Sequence, residues 1–462
     1  MSASQPRSSL PDHRIRVVDE NSTTPSGDFV LYWMSSARRL EHNFALDRAL
    51  EWARELSKPL VILESLPTAW KWSTERRSAF VIDGMREKAE RLAAGPILYR
   101  AVGEPSKAAI AKLGQRAAVI VTDDAPWLPA VPEFRKSRVE SIDSNGLFPM
   151  RAAEKVHPTA HSFRRFLQRE LLGHLAHRPR VRPLAARGLP SASKLELPAL
   201  PELELERSPT SGGRTKARAS WRAFDVDEYL EARRSSAEAT SGLSPYLHHG
   251  HISAHEVFWD LMDSQGWEIE DAGPGHGGHR EGWWHVNPGV EAFLDQLITW
   301  RELGINMAWQ RSDFDRYESL PPWARKTLEE HENDLREPCY SLEEFENAAT
   351  HDELWNSAQR QLVLEGRIHN ALRMLWGKKI LHWSSSPREA LRILIELNNR
   401  YALDACDPNS YSGIFWTLGR YDRAWGPERP VFGKIRYMSS ESMGRKLRVK
   451  PYLERYASGK AS

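Results

Sequence analysis

Residues 28–65 read DFVLYWMSSARRLEHNFALDRALEWARELSKPLVILES. An apolar run at 29–34 leads into a helical pattern from Asn43 to Leu56 and then a second apolar run at 59–64. A short run without polar alternation predicts a strand buried on both faces, and two such runs joined by an amphipathic segment predict parallel neighbours. The pattern continues outward through a helix near Thr74 to Leu92, PILYR at 96–100, a short helix near Lys107 to Leu113, AAVIVTD at 117–123 and RVESID at 138–143. Five apolar runs separated by amphipathic segments predict a doubly wound α/β domain with a parallel sheet covered on both faces. No G-x-G-x-x-G follows the first run, which argues against a Rossmann dinucleotide site there.

A chain of 462 residues suits two or three domains. Between His177 and Ser220 proline, arginine and small residues dominate, as in HRPRVRPLAARGLP and ELERSPTSGGRTKARAS, a composition suited to a linker. From Trp221 the patterns are mostly helical. The expected organisation is a disordered tail over 1–25, an α/β domain over 26–160, a linker over 161–220 and a large all-α domain over 221–462. With 64 basic against 62 acidic side chains, net charge does not decide for or against nucleic acid; distribution must. Phe163 to Gly188 holds seven arginines against one glutamate, and Arg420 to Lys450 nine basic residues against three acidic. Such runs are usually solvated faces, yet two of them on a neutral chain fit contacts to a phosphate backbone. No apolar run approaches the roughly 20 residues of a membrane span. The first 25 residues are polar and form no secretory signal, so the expected location is the cytoplasm, with no membrane partner. Two cysteines, Cys339 and Cys406, exclude a disulfide framework and a four-cysteine iron–sulfur cluster.

The last quarter carries the chemistry. It reads THDELWNSAQ from Thr350, EGRIHNALRMLWGKKILHW from Glu365, ELNNRYALDACDPNSYSGIFW from Glu396 and ERPVFGKIRYM from Glu428. Only Gly377 weakens a helix between Gly366 and Trp383, so Trp376 and Trp383, seven residues apart, share one face about 10 Å apart along the axis. The helix should end at Ser384, before a capping box at Ser386 to Glu389 with proline in its first turn. Most buried tryptophans are core residues. The surrounding Asn370, Arg373, Asn398, Asp404 and Asn409, however, have no use in an ordinary apolar core, and indole rings so spaced can relay an electron by hopping.

Upstream, TSGLSPYL at 240–247 places hydroxyls and a glycine before a helix, an arrangement that suits a diphosphate as well as a plain N-cap. FLDQLITWRELGINMAW at 293–309 reads as one helix with Trp300 and Leu303 on a shared face. Together these motifs resemble the catalytic half of class II cyclobutane pyrimidine dimer photolyases, flavoproteins of the photolyase and cryptochrome superfamily. The resemblance runs from Ser241 to about Tyr456 and, more weakly, over the first 150 residues. It implies FAD as cofactor, held by Tyr229, Thr240, Ser241, Gly242, Leu243, Ser244, Asn370, Arg373 and Asp404, with Arg373 and Asp404 paired beside the ring and Asn398 near its N5. It implies that Trp376, Trp355 and Trp383, in that order outward, reduce the flavin. Trp300 and Trp416 would clamp a flipped pyrimidine dimer over Met374, with Gln296 and Arg436 as further substrate contacts. The implied activity is a light-driven carbon–carbon lyase repairing ultraviolet-damaged DNA as a monomer. An antenna chromophore of deazaflavin or folate type can accompany the family's N-terminal domain, and no residue here identifies one.

This chain departs from the class II pattern at four positions: Gln296 for glutamate, Glu256 for arginine, Ile305 for aspartate and Asn370 for glycine. These departures leave open a cryptochrome-like blue-light receptor without repair activity, or an altered lesion preference such as (6-4) photoproducts. A loop that resembles an insertion, EDAGPGHGGHREGWWHVNPG at 270–289, carries His276, His279 and His285. Without cysteine or a nearby acid cluster it is not expected to bind a metal.

Overall fold

The computed structural model describes residues 8–458 apart from 20–25, 69, 104, 130, 131, 133, 135, 136, 186, 187, 193–204, 236–239 and 276. The chain divides into two compact units. The first comprises Met1–Ala153, Leu171–Arg222 and Leu243–Gly266, and the second Glu154–Glu170, Ala223–Gly242 and Trp267–Ser462.

The first unit holds a six-stranded sheet of β1 (Ile15–Asp19), β2 (Phe29–Met34), β3 (Leu60–Ser65), β4 (Leu98–Val102), β5 (Ala117–Asp123) and β6 (Arg138–Ile142), in the order β1-β6-β5-β2-β3-β4. The five predicted runs pair in parallel, and every residue of β2, β5 and β6 is buried. Its helices are α1 (Phe44–Glu55), α2 (Glu75–Leu92), α3 (Lys107–Arg116), α5 (Arg214–Ala223), α7 (Ser244–His248) and α8 (Ala254–Ser264), while α4 (Ala160–Leu175) runs through both units. One apolar cluster joins Val30, Tyr32, Ile62 and Val119 to α1 through Phe44, Leu46 and Leu50, and a second joins Leu31, Trp33, Val61 and Ile120 on the other side. Alternate residues of the central strands therefore face opposite clusters, as the strand period of two requires.

Two expectations about organisation are corrected. Residues 1–7 and 20–25 lie outside the described residues, but Asp12–Arg14 form a 3-10 turn and Ile15–Asp19 an edge strand antiparallel to β6. Arg14 holds this segment: it is buried and donates to the carbonyls of Asp143, Gly146 and Leu147. The segment 161–220 is also more than a linker, since α4 and α5 lie within it. Between them Leu184 and Leu189 pack on the first apolar cluster, and the backbone is tied down by Arg180 N–H to Asp47 and His42 N–H to Arg180 O. A few apolar anchors and satisfied backbone groups suffice to fix a proline-rich stretch.

The second unit is helical: α6 (Tyr229–Ser235), α9 (Pro288–Leu294), α10 (Arg301–Gln310), α11 (Pro322–Glu330), α12 (Leu342–Glu346), α13 (Glu353–Glu365), α14 (Asn370–Trp383), α15 (Pro387–Tyr401), α16 (Pro408–Thr417), α17 (Ser440–Lys446) and α18 (Val449–Arg455). Helix α13 stops at Gly366 in the left-handed conformation, and α14 starts afresh behind His369, so the expected continuous helix from Gly366 begins at Asn370. Ser386 caps α15 by accepting from Glu389 N–H, as the sequence indicates. Gly377 allows α14 to lie against α16, since a Cβ there would stand 2.4 Å from Thr417 Cγ2.

Candidate functional site

The three tryptophans of the last quarter meet. Trp355 on α13 and Trp376 on α14 stack with ring centroids 6.5 Å apart and planes 5° from parallel, and Trp383 lies 6.3 Å beyond Trp355, turned by 69°. Trp355 thus stands between two residues of one helix, which fixes the order Trp376, Trp355, Trp383. All three are at most 2 % exposed. Their polar edges are tied: Trp355 Nε1 donates to Trp376 O at 3.0 Å, and Trp376 Nε1 donates to Gln359 Oε1 at 2.9 Å. Trp383 borders the surface, packing 4.8 Å from the exposed His351 ring and 5.8 Å from Tyr340, whose hydroxyl meets His351 Nδ1 at 2.8 Å. Lys379 sits 4.8 Å over Trp383, paired with Asp352. Gln359 and Tyr340 escaped the sequence reading. A glutamine four positions after Trp355 on the same helix was the available signal for the first.

Around the start of α14, Arg373 pairs with Asp404 at 3.1 Å. Asn398 is buried, and its Nδ2 donates to Asn399 Oδ1 at 3.0 Å and Ser410 Oγ at 2.9 Å. That geometry orients the carboxamide and leaves Oδ1 as an available acceptor. Asn370 is exposed at the first position of α14. Tyr229 on α6 packs against Phe224 and Phe293. Thr240, Ser241 and Gly242 belong to the second unit, Gly242 with φ +66°, whereas Leu243 and Ser244 open a segment of the first.

The segment expected as one helix over 293–309 contains a π turn, Asp295–Trp300, between α9 and α10. Such wide turns recur at functional sites. Within it Gln296 and Trp300 are the two partly exposed residues, while Leu303 is fully buried, so Trp300 is not part of the core stripe. Arg164, itself buried, anchors the turn through Asp295 at 2.8 Å. It also donates to Gly278 O of the 270–289 loop. That loop is pinned further by Gln168, which accepts from Gly278 N–H and donates to His279 O, and by Glu291, which accepts from Gly282 and Trp284 N–H. His276 lies outside the described residues, and His285 is engaged with Asp271 O. Among the described residues no group of three His, Cys, Asp or Glu side chains is placed to hold a metal.

Trp416, partly exposed at the end of α16, carries cations on its ring: Lys378 at 4.7 Å and Arg436 at 5.5 Å. Met374, one turn before Lys378 on α14, reaches the same helix, its Cε 3.5 Å from where a Gly413 Cβ would lie. Arg436 pairs with Asp422 at 3.0 Å and lies 4.0 Å over Trp425. Arg423 covers Trp425 as well, at 4.4 Å. Arg423, Arg429 and Lys434 of this loop are exposed. Trp425 and Arg423 were not singled out from the sequence, although both lie in its basic run.

Two of the four positions expected to depart from the class II pattern are engaged in packing. Glu256, wholly buried on α8, is held by Arg214 at 2.5 Å and Arg218 at 3.2 Å, so it fastens α5 to α8 within the first unit. Ile305 is buried on α10, while the adjacent Asn306 accepts from His157 N–H and donates to Lys155 O.

The first unit contains a cavity of about 190 Å³ at the carboxyl ends of its strands. Trp33 in β2, Ser35, Ser36 and Arg38 after it, and Leu128 and Pro129 after β5 line it. Strand order reverses between β2 and β5, the point at which open α/β sheets bind ligands. Arg38 is fixed there by the buried Glu64 at 2.9 Å, which also takes Lys88 and the Tyr99 hydroxyl. Burial alone would raise the Glu64 carboxyl, but Lys88 and Arg38 outweigh it and hold it below its ordinary range.

This fold is shared with photolyases and cryptochromes. A bacterial class III photolyase from Agrobacterium tumefaciens superposes with a TM-score of 0.68 at 16% identity over 95% of this chain and 88% of its own, and a Synechocystis cryptochrome with 0.67 at 16% over 93% and 88%. In sequence, the chain is 32% identical to the deoxyribodipyrimidine photo-lyase of Methanothermobacter thermautotrophicus, over 96% of this chain and 98% of that one. It is also 32% identical to that of Oryza sativa subsp. japonica, over 95% and 89%. No family model matches. The chain belongs to the deoxyribodipyrimidine photo-lyase family.

Proposed function

We propose that the protein is a class II enzyme that splits cyclobutane pyrimidine dimers in ultraviolet-damaged DNA by light-driven electron transfer from FAD. The observation that carries this reading is the dry Trp376, Trp355, Trp383 series reaching the surface beside Tyr340 and His351. The residues present fit the cofactor. Asn398 offers an oriented, unused Oδ1 of the kind a ring N–H would meet, and the Arg373–Asp404 pair supplies a polar wall beside it. FAD, when bound, supplies the photochemical one-electron donor, and the protein supplies position and electrostatics. Asn398, Arg373 and Asp404 would hold the ring, with Asn370, Tyr229 and Thr240 to Gly242 toward the remainder of the molecule. The tryptophans conduct electrons inward from solvent and exclude water from that path.

On the DNA side, Trp416 and Trp300 offer stacking faces for extruded bases, Met374 a polarisable floor and Gln296 an amide that can donate and accept. The Arg423, Arg429, Lys434 and Arg436 loop with Trp425 suits a phosphate backbone and an unstacked base. Glu256 and Ile305 serve packing, which leaves Gln296 and Asn370 as the departures that would bear on lesion choice. The cavity at the β2/β5 switch point, with tryptophan walls and Arg38, suits a planar antenna chromophore. Removal of cyclobutane dimers from irradiated DNA by the reduced protein under blue light tests the proposal. Flavin binding and photoreduction without dimer removal would overturn it.

A further inference from the structure

Lys378 has no place in the function described so far. It lies on α14 with no exposed surface, one turn beyond Met374, and its Nζ donates to Thr417 O at 2.7 Å. That carbonyl belongs to the last turn of α16, where a helix presents its negative end and favours a cation. The same ammonium stands 4.7 Å from the Trp416 ring, close enough for a cation–π contact. Its salt-bridge partners are absent: the described ion pairs give Arg436 to Asp422 and Lys379 to Asp352, and none to Lys378. A lysine buried without a carboxylate is costly, and a carbonyl and an indole compensate only in part.

We propose that Lys378 is a charge-bearing residue beneath the Trp416 platform whose ammonium stabilises negative charge on the pyrimidine dimer stacked there. The proposal rests on the reading of Trp416 as a lesion-stacking residue. Splitting the dimer by one-electron donation would break two cyclobutane C–C bonds, form two pyrimidine C=C bonds and return the electron to its donor, a role FAD would fill when bound. The transient charge on the bases is therefore negative. A fixed cation behind the ring is worth most in such a dry site, because no solvent need reorganise around it. Gln296 cannot contribute charge to the pocket, which leaves the cations behind Trp416 to do so. Lys378 acts through Trp416 and touches no substrate, so it is a positioning residue, and its charge state is its signature. Burial pushes the ammonium down to about 7; of the charged groups acting on it, Asp422 favours the charged form and Arg436 opposes it. From α16 it meets a carbonyl and an indole.

The test compares wild type, Lys378→Met and Lys378→Arg, each checked for flavin retention and melting temperature. Dark affinity for a duplex carrying one thymine dimer, against the undamaged duplex, is measured beside the number of dimers split per absorbed photon by pre-reduced enzyme. Wild type should lose roughly fivefold in yield as pH rises through about 7, the order of effect a unit charge exerts across one ring, while dark affinity changes less than about twofold. Lys378→Met should show the low yield at every pH. Lys378→Arg, charged throughout, should keep the high yield into alkaline solution. A Met variant with wild-type yield and pH profile overturns the proposal, as does an Arg variant that retains the alkaline fall should the Met variant not fold. If wild type prefers the damaged duplex and Trp416→Ala abolishes that preference, the stacking reading stands whatever Lys378 does. If wild type shows no such preference, both fall together.

Discussion

Replacing Gln359 by leucine removes the partner of Trp376, the first tryptophan of the proposed relay, while keeping the volume of the side chain. Gln359 is fully buried, and its Oε1 accepts the Trp376 indole N–H at 2.9 Å, with Trp376 itself 2 % exposed. Its Nε2 donates to Glu346 O at 3.3 Å. Leucine leaves a buried N–H without an acceptor, which costs about 1–3 kcal/mol, or roughly 4–8 °C of melting temperature at the middle of that range for a unit of this size. The effect on electron transfer is separate. When Trp376 gives up an electron its N–H becomes acidic, and hydrogen bonds to charged groups exceed neutral ones by about 1 kcal/mol. Losing the amide should therefore disfavour the oxidised indole by that amount and slow the first step roughly fivefold. The assay is the rate of flavin reduction by external thiol under blue light, normalised to bound flavin, beside a thermal melt. A leucine variant that melts several degrees lower yet photoreduces at the wild-type rate would refute the role given to Gln359, and an unchanged melt would refute the hydrogen-bond accounting.

Trp376→Phe should abolish light-driven flavin reduction while leaving repair by chemically reduced enzyme largely intact, which absorbance during illumination and a dimer assay separate. Trp300→Ala should weaken binding of dimer-containing DNA by about 1–3 kcal/mol with little change for undamaged duplex, read by a binding titration. Glu256→Ala should destabilise the first unit by about 1–3 kcal/mol, since Arg214 and Arg218 each lose a buried carboxylate and keep only Glu41 and Asp260, without altering lesion affinity; a denaturant melt and the same titration check both halves. Burial pushes His42, His174 and His382 down to about 4. Between that value and about 6.5 the unfolded chain binds more protons than the folded one, so stability should fall as pH is lowered through this window. Denaturant midpoints at neutral and mildly acidic pH measure this, and a flat profile would show that the imidazoles are not held neutral.

The parallel sheet was legible because β2, β3 and β5 are buried on both faces and so are apolar without interruption, a pattern that needs no tertiary knowledge to read. Strand β1 was not, because an edge strand half open to solvent alternates weakly and Val18 stays exposed. The buried Arg14 that secures it reads locally as one more charge in a polar tail. The stretch 161–220 misled for the same reason: isolated Leu184 and Leu189 anchors are invisible in a composition dominated by proline and arginine.

Within the candidate site, the sequence by itself determined which tryptophans share a helix and which polar residues accompany them. The seven-residue spacing of Trp376 and Trp383 and the polar company of Arg373, Asn398 and Asp404 are properties of the chain. Only the tertiary structure placed Trp355 between two tryptophans of another helix, set Gln359 on the Trp376 N–H, widened the helix to a π turn at Gln296 and Trp300, and put Lys378 behind Trp416. It alone paired Glu256 with Arg214 and Arg218. The physical reason is range. Helix and strand periods are set by local sterics and repeat along a few residues, whereas a hydrogen bond, a stacked pair or an ion pair between distant segments depends on where the whole core brings those segments to rest.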